Sequence, residues 1–223
     1  LAQAAIQQPD LGTLKVTEVF YSLQGEALFS GWPTVFIRLT GCPLRCAYCD
    51  TAYAFHGGSR RSIAGLLEEV AGHGLQHVCV TGGEPLAQKH CLALLTALCE
   101  RGYTVCLETS GALDISAVDV RVHRIVDVKT PGSGEMARNR WANMDLLTPA
   151  DCLKFVICDR ADYEWARAVV GERDLAQRTA VFFAPSFQQL ASKELAGWIL
   201  ADRLPVRLQL QLHKLLWGDE PGR

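Results

Sequence analysis

The 223-residue chain has no apolar run near the ~20 residues that cross a bilayer; stretches such as 35–37 and 180–184 stop far short. It has no charge excess either: 22 Lys and Arg stand against 24 Asp and Glu, a net charge of −2. Without a basic field, direct binding to nucleic acid or to an anionic membrane is not expected. There is no Gly/Ser linker, charge run, internal repeat or low-complexity tract, so one domain over 1–223 is the expectation, with residues 1–13 a flexible lead-in. Residues 1–10 have neither a charged n-region nor an apolar h-region and do not read as a signal peptide. A soluble, cytoplasmic protein is expected. Apolar residues make up 49% and charged ones 21%, which excludes disorder and supplies a core without disulfide staples.

Short apolar segments at 35–39, 77–80, 104–108, 124–128, 153–157 and 180–183 read as strands, and 207–212 as a final or edge strand. Between them, 62–71, 85–100, 162–170 and 187–200 read as helices, the first capped by Ser62. Such alternation predicts an α/β fold with a parallel sheet, either an incomplete β/α barrel of six strands or a doubly wound sheet. Polar residues gather just after the strands, as in Thr40-Gly41-Cys42, Thr81-Gly82-Gly83-Glu84 and Thr109-Ser110-Gly111. Ligand sites of parallel α/β folds lie at these carboxyl ends, so the loops are expected to line one site.

Nine cysteines without a secretory signal do not suggest a disulfide framework. Six sit singly among apolar residues and read as small buried hydrophobes. The other three, Cys42, Cys46 and Cys49, have the spacing C-x3-C-x2-C. Thiolates so close call for a metal. Zinc would want a fourth ligand, with His56 the nearest candidate. A cubane iron–sulfur cluster held by three thiolates would keep one iron open for a substrate or cofactor.

The three-cysteine loop, with Tyr48 just before its last cysteine, resembles the radical S-adenosylmethionine superfamily. Val80-Thr81-Gly82-Gly83-Glu84-Pro85, after a predicted strand, resembles its second signature. Further segments narrow the resemblance to the 7-carboxy-7-deazaguanine synthase family. They are Phe20-Tyr21-Ser22-Leu23-Gln24-Gly25-Glu26, Phe36-Ile37-Arg38-Leu39-Thr40-Gly41-Cys42, Cys49-Asp50-Thr51, Leu107-Glu108-Thr109-Ser110-Gly111 and Gln211-Leu212-His213-Lys214. The matches run from about residue 16 to the C-terminus.

The resemblance implies an incomplete (β/α)6 barrel with some helices shortened or missing. It implies a lyase that rearranges 6-carboxy-5,6,7,8-tetrahydropterin to 7-carboxy-7-deazaguanine with loss of ammonia, in the queuosine and 7-deazapurine pathway of tRNA modification. A 4Fe–4S cluster on Cys42, Cys46 and Cys49 would cleave S-adenosylmethionine to a 5′-deoxyadenosyl radical, and the cofactor would be regenerated. Tyr48, Cys49, Asp50, Gly83, Glu84, Ser110, Asp127, Val128, Lys129, Ala184, Pro185, Ser186 and Phe187 match S-adenosylmethionine-binding positions. Thr51 matches the hydroxyl that holds Mg²⁺, and Leu23, Gln24, Gly25, Arg38, Thr81, Glu108 and His213 match the pterin site.

The residues themselves agree with several of these roles. Arg38 lies in an apolar strand, where it needs a carboxylate: the substrate's, or else Glu26 or Glu108. Glu108 could accept from the amino-pyrimidinone edge of a pterin. The chain also departs from its relatives, having Asp127-Val128 where they often carry Ser-Pro, and Ala184 where they often carry Gln. A reducing partner such as flavodoxin or ferredoxin and a homodimer are further implications. The rival readings are an activase that installs a glycyl radical on a partner protein, and a zinc-stabilised binding module without catalysis.

Overall fold

Six apolar segments become parallel strands where the sequence predicts them, because runs of β-branched and apolar residues can be buried on both faces. The computed structural model describes residues 11–218 together with Glu220 and Gly222. Residues 1–10 of the expected flexible lead-in lie outside the described residues. The rest of it is part of the fold, since Leu11 packs on the core and Thr13 opens a strand.

The strands are β1 (Thr13–Leu23), β2 (Pro33–Leu39), β3 (Ser59–Ser62), β4 (His77–Gly82), β5 (Thr104–Thr109), β6 (His123–Val128), β7 (Cys152–Ile157), β8 (Ala180–Pro185) and β9 (Arg207–Leu208). The helices are α1 (Ile63–Gly72), α2 (Cys91–Glu100), α3 (Arg160–Glu172), α4 (Leu175–Arg178), α5 (Ser192–Asp202) and α6 (Leu212–Trp217). One nine-stranded sheet has the order β3-β1-β2-β4-β5-β6-β7-β8-β9. From β2 to β9 every pair is parallel, and the two ends of the sheet do not meet, so among the described residues the barrel is not closed.

The expectation of parallel strands alone needs correcting at one edge. β1 is antiparallel to β2, and β3 is antiparallel to β1. β1 escapes a sequence reading because only Leu14 and Val16 are buried, and the rest of the strand is exposed or half-buried with no clear alternation. Pairing with two neighbours, a tertiary effect, holds it in place. The expected strand 207–212 shrinks to two residues, and Leu212 instead begins α6. The expected helix 85–100 is broken: Pro85–Ala87 is a 3-10 turn and α2 starts at Cys91. Likewise α5 starts at Ser192, not Phe187. The stretch after β6 forms three short 3-10 turns and no α-helix, as its Pro and Gly content leads one to expect. Ser62 caps α1 as predicted, its hydroxyl accepting from the Gly65 N–H at 3.1 Å.

Strand alternation sorts the side chains into two sets. Outward residues such as Val35, Ile37, Val78, Val80, Val105, Leu107, Val126 and Phe155 join residues of α1 through α5 in one main core. At ~1.5–3 kcal/mol for each fully buried apolar side chain, this layer dominates stability. The helices share that face, which fits a partial barrel and not a doubly wound sheet. Inward residues Phe36, Cys79, Cys106, Ile125, Cys152 and Phe182 form a second, smaller cluster. Two residues further along each strand come Arg38, Thr81, Glu108, Asp127, Lys154 and Ala184, which line an open cavity. The apolar cluster is therefore the floor of a polar site. Five of the six isolated cysteines are buried as expected; Cys158 is half-buried.

Gly82 joins β4 to this site. Its φ is +147°, and a Cβ there would fall 2.2 Å from the Leu39 carbonyl oxygen. Gly82→Ala is expected to cost more than about 2 kcal/mol, seen as a lower urea midpoint at unchanged m. An unchanged midpoint would show that the β2–β4 contact yields freely.

Candidate active site

The cavity at the carboxyl ends of the parallel strands has a volume of about 480 Å³. All the site residues predicted from sequence lie on its wall except Glu84 and Val128. Val128 faces the opposite side of β6 and is buried in the main core. Glu84 is fully buried. Its carboxylate accepts from the Leu86 N–H at 3.0 Å, from the Thr109 hydroxyl at 2.9 and 3.0 Å, and from the Ser110 N–H at 2.7 Å and hydroxyl. In this geometry Glu84 braces the end of β4 against the end of β5, and its neighbour Gly83 meets the cavity.

Cys42, Cys46 and Cys49 reach the cavity from one loop after β2. The Gly41 N–H donates to the Ala54 carbonyl at 2.8 Å, and the Ala47 N–H to the Ser133 carbonyl at 3.0 Å. The Arg45 guanidinium donates to the carbonyls of Cys42 and Leu44 at 2.8 and 2.6 Å and stacks 4.3 Å over Phe55. These contacts tie the loop down on both sides. Glu84 adds another, its N–H donating to the Gly41 carbonyl at 2.8 Å. Burial pushes the Cys42 and Cys46 thiols up; the Leu44 N–H partly offsets this at Cys42, and Lys129 at Cys46.

No fourth cysteine lies on the cavity wall, and His56, the fourth ligand of the zinc alternative, is exposed and off it. Among the described residues no group of three His, Cys, Asp or Glu side chains is arranged to hold a single metal ion. A three-thiol set on one cavity suits a cluster with an open iron better than a closed zinc site. Thr51 is on the same wall, its hydroxyl 3.8 Å from the Cys49 sulfur.

On the same wall, the Glu108 carboxylate accepts from the Thr81 hydroxyl at 2.8 Å and from Gln24 Nε2 at 3.4 Å. Arg38 is paired with neither Glu26 nor Glu108. Its Nε donates to Glu18 at 2.7 Å, because β1 places Glu18 in register with Arg38. Glu18 also accepts from the Tyr53 hydroxyl at 2.7 Å. His213 reaches the cavity over Gly25, and burial lowers its pKa.

Among the wall residues that sequence reasoning assigned to no ligand are two charged ones, Glu26 and Lys154. Lys154 Nζ lies 2.6 Å from Glu26 and 3.3 Å from Asp127, and Asp127 is 2.7 Å from Lys129. Burial opposes ionisation of all four. The facing charges outweigh it, so both carboxyls lie below their ordinary values and both ammoniums above. The signal for Lys154 was present: it interrupts an apolar strand just as Arg38 does.

Residues 36–131, which carry the three cysteines and the Gly83–Glu84 turn, match the Radical SAM superfamily. The 7-carboxy-7-deazaguanine synthase of Chlorobaculum tepidum is 45% identical over 210 residues, covering 93% of this chain and 96% of that protein. The chain belongs to the 7-carboxy-7-deazaguanine synthase family. The synthase of Koribacter versatilis is 43% identical over 224 residues, covering 93% of this chain and 98% of its own. The crystal structure of QueE from Escherichia coli shares the fold, with a TM-score of 0.71 at 24% identity over 90% of this chain and 95% of that one. As a radical S-adenosylmethionine enzyme, a member of the synthase family uses a 4Fe–4S cluster and S-adenosylmethionine. Among the described residues no helix is long and apolar enough to cross a membrane.

The buried charges give the protein an acid limit. Glu26 and Asp127 have ordinary values of 4.5 and 3.8 and lie lower in the fold. Their contribution is complete above those values and is lost as pH falls through the folded ones. Urea stability is expected to fall between about pH 5 and 3, and less steeply in Lys154→Met, which removes the main cause of the Glu26 shift and, behind Lys129, the second cause at Asp127. The same slope in both proteins would contradict this assignment.

Proposed function

We propose that the chain converts 6-carboxy-5,6,7,8-tetrahydropterin to 7-carboxy-7-deazaguanine with loss of ammonia, using S-adenosylmethionine catalytically, in the 7-deazapurine and queuosine pathway. The observation that carries this reading is a single cavity lined both by a three-cysteine loop and by Glu108, which Thr81 and Gln24 hold. When bound on Cys42, Cys46 and Cys49, the cluster supplies the electron that cleaves S-adenosylmethionine and so provides a hydrogen-abstracting radical.

The protein's own groups bind and orient. Glu108 accepts from the amino-pyrimidinone edge of the pterin, and the Thr81 hydroxyl keeps that carboxylate aimed. Arg38 keeps its terminal guanidinium nitrogens for the substrate carboxylate once Glu18 has taken its Nε. Leu23, Gln24 and Gly25 border the ring, and His213 covers it. Gly83, Ser110, Asp127, Lys129 and the 184–187 loop line the side nearer the cysteines and hold S-adenosylmethionine, with Tyr48 and Asp50. Thr51 supplies one ligand to Mg²⁺, the rest coming from substrate oxygens and water. A flavodoxin- or ferredoxin-type reductant and a homodimeric assembly complete the reading.

Anaerobically reconstituted protein with the pterin, reductant, Mg²⁺ and limiting S-adenosylmethionine should give many turnovers of 7-carboxy-7-deazaguanine per cofactor. Glu108→Gln should lower kcat/KM about 100-fold, ~2.7 kcal/mol of transition-state stabilisation. Cofactor cleavage without a deazapurine product would overturn the substrate, and turnover only with a protein substrate would support the activase. A fully loaded cluster that cleaves nothing would overturn the enzymatic reading.

A further inference from the structure

The Leu23–Glu26 turn supplies three residues to the proposed pterin site, but its fourth has no part there so far. Glu26 is buried at the cavity's edge and meets the far end of the chain. Its carboxylate accepts from Gln209 Nε2 at 3.1 Å and from Gln211 Nε2 at 2.8 Å. The Gln209 side-chain oxygen accepts in turn from the Ala27 N–H at 2.6 Å. The Leu212 N–H donates to the Gly25 carbonyl at 3.0 Å. Three consecutive residues, Gly25 to Ala27, are thus hydrogen-bonded to residues 209, 211 and 212.

The segment has other ties: β9 pairs with β8, the Gln209 N–H donates to the Phe183 carbonyl at 2.9 Å, and Lys214 lies 4.0 Å from Asp50. Apolar burial is small, since β9 has only two residues, both exposed, and no residue of α6 is buried. Leu215 and Leu216 are 65% and 51% exposed. A six-residue helix without a buried face has no stability of its own. His213, at the start of α6, nevertheless sits so close to Gly25 that a Cβ there would fall 2.1 Å from its Nδ1. The hydrogen bonds to Glu26 and Gly25 lie next to this contact and help to fix it. A buried carboxylate bound only by neutral amides would be costly, and Lys154 from β7 supplies the missing charge at 2.6 Å.

We propose that Glu26 and Lys154 are positioning residues: their buried ion pair latches the C-terminal segment and thereby sets His213 against the substrate end of the cavity. The consequence for the substrate rests on the pterin reading above; the latch itself does not.

Hydrogen exchange on the reconstituted protein without substrate tests the latch independently of activity. In Glu26→Ala, amides of residues 209–217 should exchange about tenfold faster while those of β4 and β5 stay unchanged. The KM for the pterin should rise about tenfold, with kcat and the KM for S-adenosylmethionine within about twofold. Glu26→Gln should restore part of both effects, because its amide oxygen can still accept from Gln211. Gln211→Ala leaves Glu26 and Lys154 intact and should reproduce the faster exchange, which keeps the test decisive if Glu26→Ala does not fold. Unchanged exchange in Gln211→Ala would overturn the latch, as would unchanged exchange in a folded Glu26→Ala. So would a fall in kcat at unchanged exchange and KM, which would place the pair in contact with the reacting atoms. If the parent protein does not act on the pterin, the exchange result still decides the latch and only the substrate reading fails.

Discussion

A carboxylate or ammonium taken out of water costs several kcal/mol unless an opposite charge sits beside it. The cavity wall carries four such groups in a row: Glu26, Lys154, Asp127 and Lys129, alternating in sign. None could be buried alone. The row runs from the turn after β1, through the inner faces of β7 and β6, to the loop after β6. Its satisfaction therefore depends on the whole curvature of the sheet. It also keeps the wall near neutral, with two positive groups facing two negative ones.

The second constraint is the alternation of the strands. An apolar floor of Phe36, Cys79, Cys106, Ile125, Cys152 and Phe182 lies one step below a layer that is mostly polar. The same period places Val128 in the core, whatever its neighbours Asp127 and Lys129 do. Asp127 joins the charge row and Val128 packs with the helices. The two neighbours thus have different roles, one on the cavity wall and one in the core.

Most of the parallel sheet was legible because its strands are short, largely apolar runs, and the three-cysteine loop because thiols so closely spaced repel one another unless a metal neutralises them. β1 was not legible. Its stability comes from β2 and β3, and with it Glu18, the partner of Arg38, was lost from view. The pairing of Glu26 with Lys154 spans 128 residues and could not be seen before the fold. Glu84 shows the opposite case: the motif was clear, but only the structure shows its carboxylate occupied by Thr109, Ser110 and Leu86. α6 carries no apolar stripe turned to the core, so its six residues gave no periodic signal.

In the proposed function, Cys42, Cys46 and Cys49 would hold a 4Fe–4S cluster and leave one iron open to S-adenosylmethionine. Electron paramagnetic resonance of the reduced, anaerobically reconstituted protein, with and without S-adenosylmethionine, tests this most directly. The expected result is a 4Fe–4S signal that shifts when the cofactor is added and disappears in Cys46→Ala. A cluster signal indifferent to S-adenosylmethionine, or stoichiometric zinc in place of iron, would contradict it.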